Sequence, residues 1–113
     1  MNKISNLKPD IKLSIYNPNS KRNSMFGKGI AQLCLGVRKS GSLNAAAKSM
    51  GMAYSKAWRI IKDTEATLDV MLLHRDGAHG STLTKEGDKL IDMYLELDKQ
   101  LSEIAEEKFQ MLA

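Results

Sequence analysis

The 113-residue chain has one cysteine, Cys34, so no disulfide can staple it internally. It also lacks a long apolar run. The opening MNKISNLKPD is polar, with neither the apolar centre of a secretory signal nor the roughly 20 apolar residues that a membrane crossing needs. Both absences point to a reducing cytoplasm and no membrane partner. Acid is almost missing from the front half. Up to residue 62 only Asp10 stands against twelve Lys and Arg, net +11; from residue 63 onward five basic residues face twelve acids, net −7, leaving +4 in all. A basic front and an acidic rear suggest one surface that meets a polyanion and another that avoids it, the plainer alternative being a basic face that is merely solvated.

Constellations for catalysis or metal binding are missing as well. His74 and His79 are five residues apart with one distant cysteine, which is no zinc ligand set. GKG at 27–29 lacks the spacing of a phosphate-binding loop, and no Ser, His and Asp grouping sits near a nucleophile turn. The expectation is a protein that is no enzyme and takes no cofactor or metal. A small-molecule effector is not evident either, because so short a chain hardly provides a pocket. With 42% hydrophobic and 27% charged residues the composition is that of a globular protein, with room for one small core and one extended element.

What is present is mostly helical. Ile11, Leu13 and Ile15 alternate with Lys12, Ser14 and Tyr16, the period of a half-buried strand. The turn formers Asn17, Pro18, Asn19 and Ser20 then predict a hairpin whose return strand covers 24–26. Ile30, Leu33, Cys34 and Val37 form the stripe of an amphipathic helix that Gly41 ends. Cys34 on that stripe reads as a buried filler. Ser42 is placed to cap a short helix running to Met50 and closed by Gly51. A third helix over 54–68 points Ala57, Ile60, Ile61 and Thr64 one way and Ser55, Lys56, Arg59 and Lys62 the other. VMLLHRDGAHGSTLT, with glycines at 77 and 80, predicts a two-stranded wing. Thr84 caps a last helix over 85–112. There Leu90, Tyr94, Leu97, Leu101, Ile104, Lys108 and Met111 keep a heptad seam broken only at Lys108, which a lone helix cannot bury and a second copy could.

GSLNAAAKSMGMAYSKAWRIIKD carries the central motif. Ala46 and Ala47 allow a close helix crossing, Met50 fills behind it, and Gly51 supplies the turn of a helix-turn-helix. Ser55, Lys56, Arg59 and Lys62 then lie where base edges and phosphates would meet the second helix. Ser42 belongs with them as a DNA-facing cap. Tyr54 either offers its hydroxyl to a phosphate or packs in the core. Trp58 shares a side with Ile61 and reads as core or hinge. At the wing tip Arg75, His79 and Ser81 surround glycines and could reach an adjacent minor groove, the alternative being that the wing only covers the core.

From Phe26 to Gly87 the sequence resembles the N-terminal winged helix-turn-helix domain of ModE-type molybdate-responsive regulators, and more loosely that of LysR-type regulators. FGKG, SGSLNAAAKSMGMAYSKAW and LTKEGDKLI carry the likeness. The resemblance implies a mainly α winged helix-turn-helix with an N-terminal β-hairpin, a two-stranded wing and a long C-terminal dimerisation helix, acting in transcriptional control. Ala53 departs from the family's usual serine at the start of the recognition helix, which removes a cap worth about 0.5–2 kcal/mol unless Ser55 supplies it. The family's molybdate-binding domains follow the long helix, so the expectation here is a regulator lacking them. The expected organisation is a DNA-binding body over 1–84, with hairpin at 10–26, helix-turn-helix at 43–68 and wing at 70–84, and a dimerisation helix over 85–113 built on Leu90, Tyr94, Leu97, Leu101 and Ile104. The expected partners are double-stranded DNA and a second copy. The alternative is a winged-helix protein-interaction module without DNA binding.

Overall fold

A computed structural model describes residues 3–75 and 80–113. After a single 3-10 turn at Lys3–Asn6, the element order is α1 (Lys28–Ser40), α2 (Leu43–Ser49), α3 (Tyr54–Leu68), β1 (Leu73–Arg75), β2 (Ser81–Leu83) and α4 (Lys85–Leu112). This is the mainly α, winged arrangement expected.

The helix ends follow from local chemistry. α1 stops at Gly41, whose φ of 73° lets its amide turn back onto the Val37 carbonyl at 2.8 Å. Ser42 caps α2 by accepting from the Ala45 amide at 3.1 Å. Gly51, at φ 67°, ends that helix and leads into α3. Ala53 precedes α3 in extended conformation with no side-chain cap, so Ser55 does not replace the missing serine.

α1, α2 and α3 enclose the core through Ile30, Ala31, Leu33, Cys34, Val37, Leu43, Ala46, Ala47, Ala57 and Ile61, all buried. The crossing of α1 over α2 is close enough that a Cβ on Gly36 would stand 2.6 Å from the Cβ of Ala46. Burial pushes the Cys34 thiol up to about 12, with Glu65 adding to the effect, so Cys34 is a packing residue and no nucleophile.

The wing is a two-stranded antiparallel ribbon pairing Leu73 with Leu83, His74 with Thr82 and Arg75 with Ser81. Its root is tied down. Ser81 donates its amide to the Gly41 carbonyl at 2.9 Å, Thr84 donates its amide to the Leu72 carbonyl at 3.0 Å, and Thr84 Oγ1 accepts from the Gly87 amide to cap α4. Gly87 passes so close to the Leu72 carbonyl that no side chain fits between them. Arg38 ties α1 to α4, donating through Nε and a terminal nitrogen to Asp88 Oδ1 at 2.9 and 2.6 Å and lying 3.1 Å from Asp92.

The N-terminal hairpin is present only as its turn, where the Ser20 amide donates to the Asn17 carbonyl at 3.0 Å, and a minimal pairing. Ile11, Leu13 and Ile15 are half-buried and Lys12, Ser14 and Tyr16 exposed, as the alternation implies, but strand pairing is confined to one bridge between Ile15 and Phe26. Local bonds hold the turn between the paired residues: the Asn19 amide donates to Asn17 Oδ1 and the Arg22 amide to Ser20 Oγ. Before the bridge the chain runs along α4, with Tyr94 donating its hydroxyl to the Leu13 carbonyl and Gln110 its amide to the Ser5 carbonyl.

Gly36→Ala tests the close crossing. Alanine gains about 1 kcal/mol in an ordinary helix interior, whereas overpacking costs about 1–3 kcal/mol. The net expectation is a loss near 1 kcal/mol and a lower Tm in thermal denaturation; a raised Tm would mean that the helices are free to separate.

Candidate nucleic-acid interface

α3 presents Ser55, Lys56, Arg59 and Lys62 on its exposed side while Ala57, Ile61, Thr64 and Leu68 face the core. The expected division of its faces therefore holds. Both ion pairs among the described residues belong to Arg38. Neither Lys56 nor Arg59 is paired with a described carboxylate, and their charge is directed to solvent.

Beside the start of α3 lies a cleft of about 180 Å³ where the first turn of α2, the first turn of α3 and the wing converge. It is lined by Ser42, Leu43, Asn44, Tyr54, Arg75, Gly80 and Ser81. Four expected site residues thus meet in one place. Ser42 Oγ already accepts the Ala45 amide and keeps its own proton to donate. Tyr54 is exposed at the rim, which favours the hydroxyl reading over the core one. Asn44, exposed on the first turn of α2, was not expected at the site. Its i, i+2 relation to Ser42 across a cap was the available signal.

One expectation at the wing changes. Ser81 is only 5% exposed, and with its amide engaged by Gly41 it seats the wing root instead of presenting a hydroxyl to a phosphate. His79 lies outside the described residues.

Glu65 was missed by sequence reading. Buried on α3, it accepts through Oε2 from the Leu72 amide at 2.7 Å and the Leu73 amide at 3.2 Å, holding the first wing strand to α3. An acid four residues after Ile61, on the core stripe, was the available signal. Trp58 is half-buried against the core, as expected, but it also carries Lys62 Nζ at 5.3 Å and Arg75 Cζ at 5.2 Å from its ring centroid.

The seam on α4 is corrected at its start. Tyr94 is 4% exposed and packs edge-on against Phe26 with ring centroids 5.5 Å apart, and Leu90 is half-buried against the same core. Neither is available to a partner as expected, because the body covers this part of α4. Leu97, Leu101 and Ile104 are 44%, 36% and 51% exposed, joined by Met93 and Met111. A second expectation also changes. The N-terminal arm creates a cleft of about 590 Å³ against α1 and α4, lined by Leu13, Ala31, Leu35, Tyr94, Leu95 and others, where so short a chain was expected to hold no pocket. Among the described residues no helix is long and apolar enough to cross a membrane, and no His, Cys, Asp and Glu cluster is arranged to hold a metal.

Residues 31–88 match the family model described as bacterial regulatory helix-turn-helix protein, lysR family. The chain is 32% identical over 62 residues to the transcriptional regulator ModE of Yersinia pestis, a match covering 51% of this chain and 24% of that protein. It thus spans about a quarter of the length of the curated relative it matches. Among solved structures it is similar to a LysR family transcriptional regulator, with TM-score 0.54, 28% identity, and coverage of 64% of this chain and 24% of the other. It is also similar to the chain in the crystal structure of the CbnR_DBD–DNA complex, with TM-score 0.53, 26% identity, and coverage of 70% and 85%.

Glu65→Ala strips the acceptor from two buried amides, at about 1–3 kcal/mol for each. In chemical denaturation it should destabilise by at least about 2 kcal/mol, and Glu65→Gln, which keeps one acceptor oxygen, by clearly less. Equal losses would show that the carboxyl does not hold the wing.

Proposed function

Because the chain belongs to the LysR family of bacterial regulatory helix-turn-helix proteins, we propose that it controls transcription as a homodimer that binds double-stranded DNA sequence-specifically. The observation that carries this reading is the division of α3: its back is clamped into the core while Lys56 and Arg59 stand outward, unpaired with any carboxylate among the described residues. A helix so held enters a major groove as a rigid body, with Lys56, Arg59 and Lys62 facing bases and phosphates over successive turns. Ser42, Tyr54 and Arg75 at the cleft, with Ser55 next to Tyr54 in the chain, grip the adjoining backbone, and His79 is assigned to the same DNA contact. The family likeness and the CbnR_DBD–DNA complex support the choice of duplex DNA as partner.

The body over 1–84 supplies the DNA-binding surface and α4 the dimer contact. Leu97, Ile104 and Met111 are spaced by sevens, and with Met93 and Leu101 they form an exposed apolar stripe that a second α4 would cover. A two-fold pair sets two recognition helices about 34 Å apart, one turn of the duplex. The acidic rear half keeps α4 itself away from the phosphates.

In a salt titration on DNA selected by the protein, log affinity should fall steeply and linearly with log salt. Arg59→Ala should weaken specific binding by about 1–3 kcal/mol if it reads a guanine, and Lys62→Ala should reduce the salt slope by about one. Indifference of both variants, or no duplex binding at physiological salt, would favour a protein-interaction module instead. In sedimentation, Leu97→Lys with Ile104→Lys should convert a dimer into a folded monomer and lower DNA affinity; an unchanged mass would reject the α4 interface.

A further inference from the structure

One ring joins residues of the proposed DNA face. Trp58, the chain's only tryptophan, stands one helical turn after Tyr54 and one turn before Lys62 on α3. Lys62 Nζ lies 5.3 Å from its ring centroid and Arg75 Cζ, from the wing strand β1, lies 5.2 Å from it. Both separations are within cation–π reach. Arg75 also lines the cleft shared with Ser42, Asn44 and Tyr54. Two like charges from different elements are therefore gathered at one indole, which itself rests half-buried on the core.

The choice of an indole has a physical consequence. A carboxylate would gather the same cations more strongly, but it would cancel their charge and repel a phosphate. An aromatic face attracts cations through its quadrupole and carries no net charge, so the full positive charge remains available to a polyanion. Holding long side chains in place before binding also removes the ordering cost that flexible lysine and arginine otherwise add on association. We propose that Trp58 is a positioning residue that presents Lys62 of the recognition helix and Arg75 of the wing as a preset pair to the DNA backbone, and so fixes the wing against α3. This rests on the DNA-binding reading above.

The test has two arms. Without DNA, Trp58 emission is a local probe of the ring because there is no second tryptophan. Lys62→Gln and Arg75→Gln should each shift it, with the circular dichroism of the folded protein unchanged. With a duplex of roughly 30 base pairs selected by the wild type, long enough for two half-sites one turn apart, a double-substitution cycle reads the coupling. Arg75→Gln should weaken binding about tenfold in the wild type but less than about threefold once Trp58 is Leu, while Trp58→Phe, which keeps an aromatic face, should stay within about threefold of wild type. Equal losses from Arg75→Gln in both backgrounds, or Trp58→Phe as weak as Trp58→Leu, would overturn the positioning role while leaving the DNA reading intact. If Trp58→Leu does not fold, the emission arm decides: no shift from either cation substitution overturns the proposal. A wild type that ignores duplex DNA even at low salt removes the DNA reading and this role with it.

Discussion

Glycine faces alanine where α1 crosses α2, at a separation that leaves 2.6 Å between a Cβ built on Gly36 and that of Ala46. Only the smallest side chains permit this approach, and the other elements are set out from it. It fixes α2, the seven-residue helix Leu43–Ser49, which is too short to be stable alone. α2 and the turn at Gly51 then fix the direction of α3, and the Gly41 carbonyl at the same corner receives the Ser81 amide that seats the wing. A wider crossing would move α3 and the wing together.

From that corner outward, the molecule separates its charges by element. α3 keeps its cations outward and places its one buried acid, Glu65, where two backbone amides of the wing need an acceptor. Among the described residues Arg38 is the exception to the unpaired front-half cations, since Asp88 and Asp92 of α4 engage it. Its guanidinium is held even further above its ordinary pKa by those carboxylates, the hydrogen bond to Asp88 foremost. The long acidic α4 is thereby joined to a basic body.

Much of this was legible in the sequence wherever the signal was local. The bounds of α3 and the caps at Ser42 and Thr84 follow from residues within a few positions of each other, and glycines mark the turns. The length of the hairpin was overread, to a ladder where one bridge exists, because alternation reports that one side of a segment is covered, not what covers it. Here α1 and α4 flank Leu13, which is half-buried without a ladder. On α4, Met93 and Tyr94 are adjacent and either could continue the heptad stripe. What decides between them is Phe26, 68 residues earlier in the chain, which draws Tyr94 into the core. Arg75 over Trp58 and Glu65 beneath the wing are likewise contacts between separate elements, and no spacing within one helix encodes them.

The claim that α3 offers its cations to a duplex while its back stays clamped is met most directly by amide chemical-shift mapping during titration with duplex DNA. The account predicts shifts concentrated at 42–44, along the first turns of α3 from Tyr54 to Lys62, and at Arg75, with the core amides of α1 unmoved. Shifts confined to α4 or to the segment 17–25, with α3 silent, would contradict it.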